Sequence, residues 1–230
     1  MNAQKISTFL RKTGVLASLL AASAAVTGSL APSASAATLL PPPSFAEGEI
    51  DVGLGCLTGA CYDPTDFPLI DSIVSLVDTT TGTRSRLFLD VLTTANTYNG
   101  GSLGTAIFLA GDEGTTPAGL WFRPSETANN QGRVGEERGR LEVGTYTFTF
   151  KNPLSKLLVR YFDTEVGNFT SVLNTDGTLV TDGDFTGPNP VPSGPDGNIQ
   201  YQTWTNVSTI TLKLGRDIPN GTGDGVDFQF

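Results

Sequence analysis

The chain has 230 residues, a formal net charge of −9 and no histidine. This length suits one domain with a sizeable hydrophobic core. The lack of histidine excludes Ser-His-Asp triads, Cys-His dyads and His-ligated zinc or iron sites. The acidity disfavours non-specific nucleic-acid binding, because an acidic surface repels phosphates. Carboxylate chemistry, calcium binding and non-catalytic roles remain open.

The first 36 residues follow the three-part pattern of a secretory signal peptide. The parts are the basic residues Lys5, Arg11 and Lys12, the apolar run Gly14–Val26, and the small-x-small site Ala34–Ala36. The run is shorter than the ~20 apolar residues of a membrane-spanning helix, which disfavours the alternative of an uncleaved anchor. We expect cleavage near Ala36 and a secreted or periplasmic product without a transmembrane anchor. The mature chain would hold 11 basic and 23 acidic residues, a net charge of −12.

Residues 37–44 (ATLLPPPS) predict an extended spacer in front of a single domain at 45–230. Consecutive prolines favour polyproline II and donate no hydrogen bonds to a sheet. No internal repeat or second domain is visible in the sequence.

Cys56 and Cys61 are the only cysteines, and they are spaced C-x4-C. In an exported chain an even number of cysteines, with glycine and threonine between them, favours one local disulfide. Two free thiols or a redox pair are the alternative. That alternative is weaker, because the spacing is not C-x-x-C and no basic neighbour lowers a thiol pKa.

Short strand-like segments separated by turn residues recur along the rest of the chain. The clearest is Thr145–Phe150, in which aromatic residues alternate with threonines as in a half-buried strand. Asn152-Pro153 is expected to end this strand, and Lys156–Phe162 to form a more deeply buried one. The other predicted segments are Ser72–Val77, Ser85–Leu92, Thr105–Leu109, Gly119–Phe122, Thr209–Leu214 and the alternating Val226–Phe230.

The sequence as a whole predicts an all-β fold. Twenty-seven glycines and 14 prolines interrupt the chain, and no mature segment keeps a helical apolar period. Short strands joined by turns favour an antiparallel two-sheet β-sandwich, jelly-roll-like, preceded by the signal-peptide helix. The inward rows of Phe, Tyr, Leu and Ile would form its core, and Gly187–Gly197 a proline-rich surface loop.

Several motifs together resemble the LEVG family of exported cyanobacterial PEP-CTERM proteins. They are GEIDVGLGCL, SLVDTTTGTRSRLFLDVLTTANTY, WFRP, LEVGTYTFTF, YFDTE, DGNIQYQTW and GDGVDFQF, which cover nearly all of the mature chain. The resemblance implies export and, in that family, a carboxy-terminal sorting tail with a Pro-Glu-Pro motif, a membrane helix and a basic cluster. The sequence departs from this pattern, because it reaches Phe230 without such a tail, so a freely secreted or periplasmic product is expected. The resemblance implies no activity.

Three acidic groups are candidate calcium sites, because Ca²⁺ prefers oxygen ligands from several loops. The favoured site is Asp163 and Glu165 at a strand end together with Asp224. The other two groups are Asp182 with Asp184 and Asp224 with Asp227. None matches the twelve-residue calcium-loop pattern. The alternative for each group is that aspartate and glycine build turns.

Gln200, Gln202 and Trp204 share one face of a predicted strand in the polar run QYQTWTN. Polar groups beside an aromatic ring suit a glycan-binding face, an expectation that rests on analogy with other exported sandwiches. Core packing is the alternative, and for Trp121 beside Phe122 it is the favoured one.

Catalysis is not expected. A glycosidase needs two carboxylates about 5–9 Å apart. Glu136 and Glu137 are adjacent, so on a strand they point to opposite faces. The sequence predicts an exported, non-enzymatic β-sandwich of the cell envelope or extracellular matrix with a structural or interaction role. Exopolysaccharide or envelope components are the expected partners, and a carbohydrate-binding or Ca²⁺-dependent binding module is the alternative function.

Overall fold

The computed structural model describes residues 40–42, 44–59, 61–77, 82–110, 117–125, 128–129, 133, 143–216 and 225–230. All of them fall in one compact unit, Ala36–Phe230. The predicted signal helix and most of the predicted spacer lie outside the described residues.

The described chain is all-β, as the sequence predicts, with two short 3-10 helices at Pro64–Asp66 and Gly101–Leu103. The strands are β1 (Gly48–Ile50), β2 (Ile70–Ser75), β3 (Thr83–Arg84), β4 (Leu87–Val91), β5 (Asn96–Asn99), β6 (Thr105–Phe108), β7 (Leu120–Pro124), β8 (Ala128–Asn129), β9 (Gly144–Phe162), β10 (Ser171–Leu173), β11 (Phe185–Thr186), β12 (Ile199–Leu214) and β13 (Asp227–Gln229).

Nine of these strands form one antiparallel sheet, and seven of the nine follow the order β1-β4-β7-β13-β9-β12-β10. In addition, β2 pairs with the first half of β9, and β11 pairs with the first half of β12. The strands β9 and β12 are long enough to run through two packed layers. One layer holds β2, the first half of β9, the second half of β12, and β10. The other holds β1, β4, β7, β13 and the remaining halves of β9 and β12, with β11.

Aromatic rings from both layers fill the space between them. Phe148 on β9 lies 6.0 Å from Phe122 on β7 and 5.6 Å from Phe228 on β13, centroid to centroid, in edge-on geometry. The aromatic residues of β9 face this core and its threonines face outward, which is the alternation that the sequence predicts. Aromatic pairs at such distances add about 0.5–1.5 kcal/mol each beyond the area they bury.

The predicted break at Asn152-Pro153 is wrong. Strand β9 continues through it, and the register of β9 against β12 shifts between the pairs Val207–Leu154 and Thr209–Thr149. A bulge of this kind bends a strand without ending it. Proline is tolerated at such a bulge because no ladder hydrogen bond is required there.

The amino-terminal boundary also differs from the predicted spacer. Leu40 is fully buried, and its backbone exchanges two hydrogen bonds of 3.0 Å with Phe230. The sandwich therefore includes residues before position 45, since burial of the leucine side chain holds the segment against the core.

The strand predicted at Val226–Phe230 is buried on both faces, although its sequence alternates. It lies between β7 and β9, and Asp227 is only 2% exposed. The outer side of this layer is covered as well, because the β5–β6 hairpin packs Phe108 against Phe88 of β4. A third partial layer thus shields side chains that a simple two-sheet sandwich would expose.

Candidate functional site

The predicted glycan residues lie on one face of β12, and that face turns toward the interior. Gln202 is fully buried. Its Oε1 accepts a 2.7 Å hydrogen bond from the Tyr161 hydroxyl, and its Nε2 donates at 2.5 Å to the carbonyl of Pro188. Gln200 is half-buried and donates at 3.1 Å to Asn198 Oδ1. The Gln202 amide therefore ties the loop after β11 to β12 and β9, whereas the Gln200 amide makes a local contact.

Trp204 stacks on Phe185 of β11, with ring centroids 4.4 Å apart and planes 19° from parallel. It is 7% exposed and belongs to the main core. Its Nε1 has no hydrogen-bond partner among the described residues. A buried N–H without a partner is uncommon in native proteins, and Trp121 Nε1 in the core is a second case among the described residues.

Trp204 also lines a cleft of about 280 Å³ at the free edge of β12. The cleft opens where β12 has left its pairing with β11 at Trp204 and has not yet reached its pairing with β10 at Thr211. Apolar side chains form its deeper part and uncharged polar side chains form its mouth. The apolar residues are Val172, Leu173, Val180, Trp204, Val207 and Ile210, and the polar ones are Asn174, Thr175, Thr205, Asn206, Thr209 and Thr211.

The backbone at the mouth of the cleft is held in an unusual conformation. Asn206 has a φ of +55°, and asparagine adopts this left-handed region more readily than most residues. Its Nδ2 donates at 2.9 Å to Asp184 Oδ2, and the Thr205 amide donates at 2.7 Å to the Asp184 carbonyl. The register shift between Val207 and Thr209 comes immediately after Asn206 along the chain. Bulges and left-handed residues are concentrated at functional sites because they redirect side chains and interrupt pairing.

Two of the three residues predicted for calcium, Asp163 and Glu165, lie in the segment after β9. Asp163 has a φ of +64°, and its Oδ1 accepts a 2.7 Å hydrogen bond from the Gly197 amide. Glu165, two residues further along the chain, is exposed, whereas Asp224 lies outside the described residues. Among the residues that the structure describes, no group of three acidic, Cys or His side chains is arranged to hold a metal ion. The pair Glu136 and Glu137 also falls outside them.

Two buried ion pairs, which the sequence reasoning missed, lie on the outer side of the second layer. Arg86 Nη1 lies 2.5 Å from Glu49 Oε1, and Arg123 Nη1 lies 2.8 Å from Asp90 Oδ2. Asp227 is 4.0 Å from Arg123. All five side chains are at most 2% exposed. The sequence signal is that Arg86, Phe88 and Asp90 share one face of a strand. Charged residues on such a face predict exposure to solvent, but the β5–β6 hairpin covers this one.

Burial dominates the electrostatics of these pairs. Desolvation raises the pKa of Glu49 and of Asp90 above their ordinary values, although each faces an arginine that acts in the opposite direction. Such shifted carboxyls are typical of catalytic acids, but here a hairpin and a loop cover both groups. The arrangement is that of a structural network.

The predicted disulfide between Cys56 and Cys61 is present. The ion pair Glu49–Arg86 holds its loop. The Leu57 amide donates at 2.6 Å to Glu49 Oε2, and Arg86 Nη1 donates at 2.7 Å to the Gly55 carbonyl. The side chain of Leu57 then packs with Phe88 and Phe108. The cross-linked loop therefore helps to seal the charged network from water.

Comparison of the chain with family models, with curated proteins and with solved structures finds no match. None of the helices in the described part of the chain has the length and apolar character to cross a membrane. The resemblance to the LEVG family remains a prediction from the sequence motifs.

Proposed function

We propose that this protein is exported and has a non-enzymatic interaction role in the cell envelope or extracellular matrix, where it contacts neutral carbohydrate through the cleft beside β12. The observation that carries the proposal is the chemistry of that cleft, which has an apolar interior, a mouth of hydroxyl and amide groups, and no charged lining residue. Ligand sites commonly combine an apolar lining with a few converging polar groups.

A sugar ring matches this distribution. Its C–H face is apolar and packs on aliphatic or aromatic side chains, while its hydroxyls need neutral donors and acceptors at the rim. Threonine hydroxyls and asparagine amides supply both. The volume of about 280 Å³ lies just below the ~300–1,000 Å³ of ligand pockets, so the cleft suits no more than one ring of a chain.

The non-enzymatic part of the proposal rests on what surrounds the cleft. Its lining residues include no carboxylate, thiol or basic side chain, and the chain has no histidine. The carboxylate of Asp184 at the mouth accepts a 2.9 Å hydrogen bond from Asn206 Nδ2, so it serves to hold the backbone there. General acid–base catalysis needs a titratable group within hydrogen-bond reach of the reacting atoms. Glu49 and Asp90, whose pKa values are shifted, belong instead to the sealed network on the other layer.

The first test is retention of the processed protein on a panel of insoluble neutral polysaccharides, namely cellulose, chitin, xylan and cross-linked dextran. Thr175 is exposed at the mouth of the cleft, so Thr175→Arg would obstruct it without disturbing the core. The control is Thr186→Arg, which adds the same side chain to an exposed threonine of β11. We expect retention of the wild type and the control and loss of Thr175→Arg. Equal retention of the wild type and both variants would contradict the cleft as the binding site. No retention of the wild type on any polysaccharide would contradict neutral carbohydrate as the ligand.

Export and location need a separate measurement. Fractionation of producing cells is expected to recover the processed protein, without residues 1–36, from the medium, the periplasm or bound polysaccharide. Recovery of the unprocessed chain from the cytosol would contradict export.

A calcium-dependent binding mode is the alternative proposal. This alternative rests on the sequence, in which Asp163 and Glu165 lie two residues apart after β9 and offer carboxylate oxygens of the kind that Ca²⁺ prefers. Titration of calcium into the processed protein should then release or absorb heat and raise the melting temperature, and Asp163→Asn with Glu165→Gln should abolish both effects. If neither effect occurs in the wild type, this alternative is removed.

A further inference from the structure

An uncharged array of side chains lies on the outer side of the layer that contains β2, the first half of β9 and the second half of β12. We call it the threonine face. It consists of Ser72 and Val74 of β2, Thr145, Thr147 and Thr149 of β9, and Thr209 and Thr211 of β12. These residues are in register across three neighbouring strands: Ser72 lies opposite Thr149, which lies opposite Thr209, and Val74 lies opposite Thr147, which lies opposite Thr211.

The threonine face is continuous with the cleft. Thr209 and Thr211 line the cleft and also form the first column of the face. The hydroxyl of Thr211 lies 2.9 Å from that of Thr147 on the next strand, within hydrogen-bond distance. A ligand that extends from the cleft over the edge of β12 would therefore meet the hydroxyls of β12 first and those of β9 next.

Val74 and Thr209 of this face are exposed, Ser72 and the three threonines of β9 are half-buried, and Thr211 is only 6% exposed. The chain carries 37 charged residues (14 basic and 23 acidic) and a net charge of −9, yet the seven residues of the threonine face carry none. Val74 is 41% exposed, and its neighbour along the chain on the same side, Leu76, is 38% exposed. Lys213, which lies opposite Thr145, marks the corner of the face. Two exposed apolar side chains therefore lie beside neutral hydroxyls on this face.

The spacing of the strands sets the size of the face. Adjacent strands are about 4.8 Å apart, and residues on one side recur about every 6.7 Å along a strand. Three strands and three rows, of which the third places Thr145 between Leu76 and Lys213, therefore span roughly 10 Å by 13 Å. This area exceeds one sugar ring and is matched by two or three linked rings lying flat.

We infer that the threonine face extends the cleft into a flat contact surface for an uncharged polysaccharide, whose backbone runs from the cleft across β12 and β9 to β2. This inference rests on the proposed function, because it specifies the length and charge of the carbohydrate that the same site takes. The ring in the cleft provides the anchor. The following rings lie on the threonine methyl groups and Val74, and their hydroxyls exchange hydrogen bonds with the threonine hydroxyls.

The test compares ligand length with position on the protein. Binding of oligomers of increasing length from cellulose, chitin, xylan and dextran is measured by calorimetry for the wild type and for Val74→Lys, Thr149→Lys and Thr175→Arg. Thr186→Lys is the matched control, because it adds the same charge to an exposed strand threonine outside the face. Melting temperatures check that each variant is folded.

We expect wild-type affinity to rise with oligomer length beyond one ring, and Val74→Lys and Thr149→Lys to reduce that gain about tenfold or more. Affinity for the shortest bound oligomer should stay unchanged in these two variants, and Thr175→Arg should lose binding at every length. If the wild type binds and Thr175→Arg does not, while Val74→Lys and Thr149→Lys match the control at every length, the face is excluded and the proposed function stands. If the wild type binds no oligomer and no polymer, both are overturned.

Discussion

At the scale of single residues, the charged network under the β5–β6 hairpin illustrates how burial changes what a charge does. Asp90 contacts Arg123 at 2.8 Å and accepts a further hydrogen bond of 2.5 Å from Asn96. Attraction in this buried setting offsets the cost of removing both charges from water only because the partners stay in place. Loss of one partner leaves the other charge without compensation.

Arg123→Met should therefore destabilise the fold by about 3–5 kcal/mol, since it leaves Asp90 buried beside no cation. Urea unfolding followed by fluorescence measures the change. Lys156→Met is the matched control, because Lys156 is exposed on β9, and it should stay within about 0.5 kcal/mol of the wild type. Equal stability of the two variants would show that the buried pair is not needed.

The direction of the pKa shifts predicts the pH dependence of stability. Burial raises the pKa of Glu49, so the folded state holds its proton more tightly than the unfolded chain. Its contribution to stability is complete below the unfolded pKa of about 4.3 and is lost as pH rises through the higher folded pKa. The stability of the wild type relative to Glu49→Gln should therefore fall as pH rises through that window.

Asp63 provides a control of opposite sign. Hydrogen bonds from the Thr65 hydroxyl and amide lower the pKa of this exposed carboxyl. The stability of the wild type relative to Asp63→Asn should therefore decrease as pH falls through the lowered pKa. Chemical denaturation across a pH series reads out both differences. A Glu49 difference that grows with rising pH would contradict the raised pKa.

At the scale of elements, the chain segments around β11 and β12 are fixed by a close backbone contact. Gly187 follows β11 with a φ of +105°, and a Cβ placed there would lie 2.9 Å from the carbonyl oxygen of Tyr201. Glycine is required for both reasons. The contact sets the course of the chain to Pro188, whose carbonyl accepts the hydrogen bond from buried Gln202.

Gly187→Ala should lower stability by about 1–3 kcal/mol, because it combines an unfavourable φ with a backbone clash. Gly177→Ala separates the two effects: Gly177 also has a positive φ, +82°, but open space lies around its Cβ position. The control should therefore lose only about 1 kcal/mol. Thermal unfolding compares the two, and a Gly187→Ala variant no less stable than Gly177→Ala would contradict the close approach.

The same scale shows what a sequence predicts well. The alternation of Thr145–Phe150 identified an inward aromatic row and an outward threonine row, and both are present. The cleft at the edge of β12 was not predictable in this way. It depends on where β10 and β11 stop along β12 and on the bulge at Val207, which are properties of pairing between distant segments. Local patterns do not encode such register.

At the scale of the whole molecule, the all-β fold and the Cys56–Cys61 bridge were predictable from composition, turns and cysteine spacing. The inward direction of Gln202 and the burial of Asp227 were not, because each depends on an additional cover supplied by another segment. A polar residue on an alternating strand looks exposed until the tertiary structure provides partners for it. The cleft therefore includes one of the predicted site residues, Trp204, but it opens at the edge of β12 and not on the predicted face of that strand.

The charge distribution leads to a prediction for the intact protein. A cleft lined by neutral residues in a chain of net charge −9 should bind a neutral polymer with an affinity that changes little between low and high salt. Charged ligands would show a steep dependence. Retention of the wild type on each polysaccharide at both salt concentrations measures this, and release at high salt would point to an ionic contact elsewhere.

The most direct measurement of the central claim is an amide NMR titration of the processed protein with the longest soluble oligomer of each neutral polysaccharide. The account predicts shifts that are confined to Val172–Thr175 and Thr205–Thr211, which border the cleft, and that extend to Thr147 and Thr149 as the oligomer lengthens. Shifts centred on the opposite layer, or none with any oligomer, would contradict it.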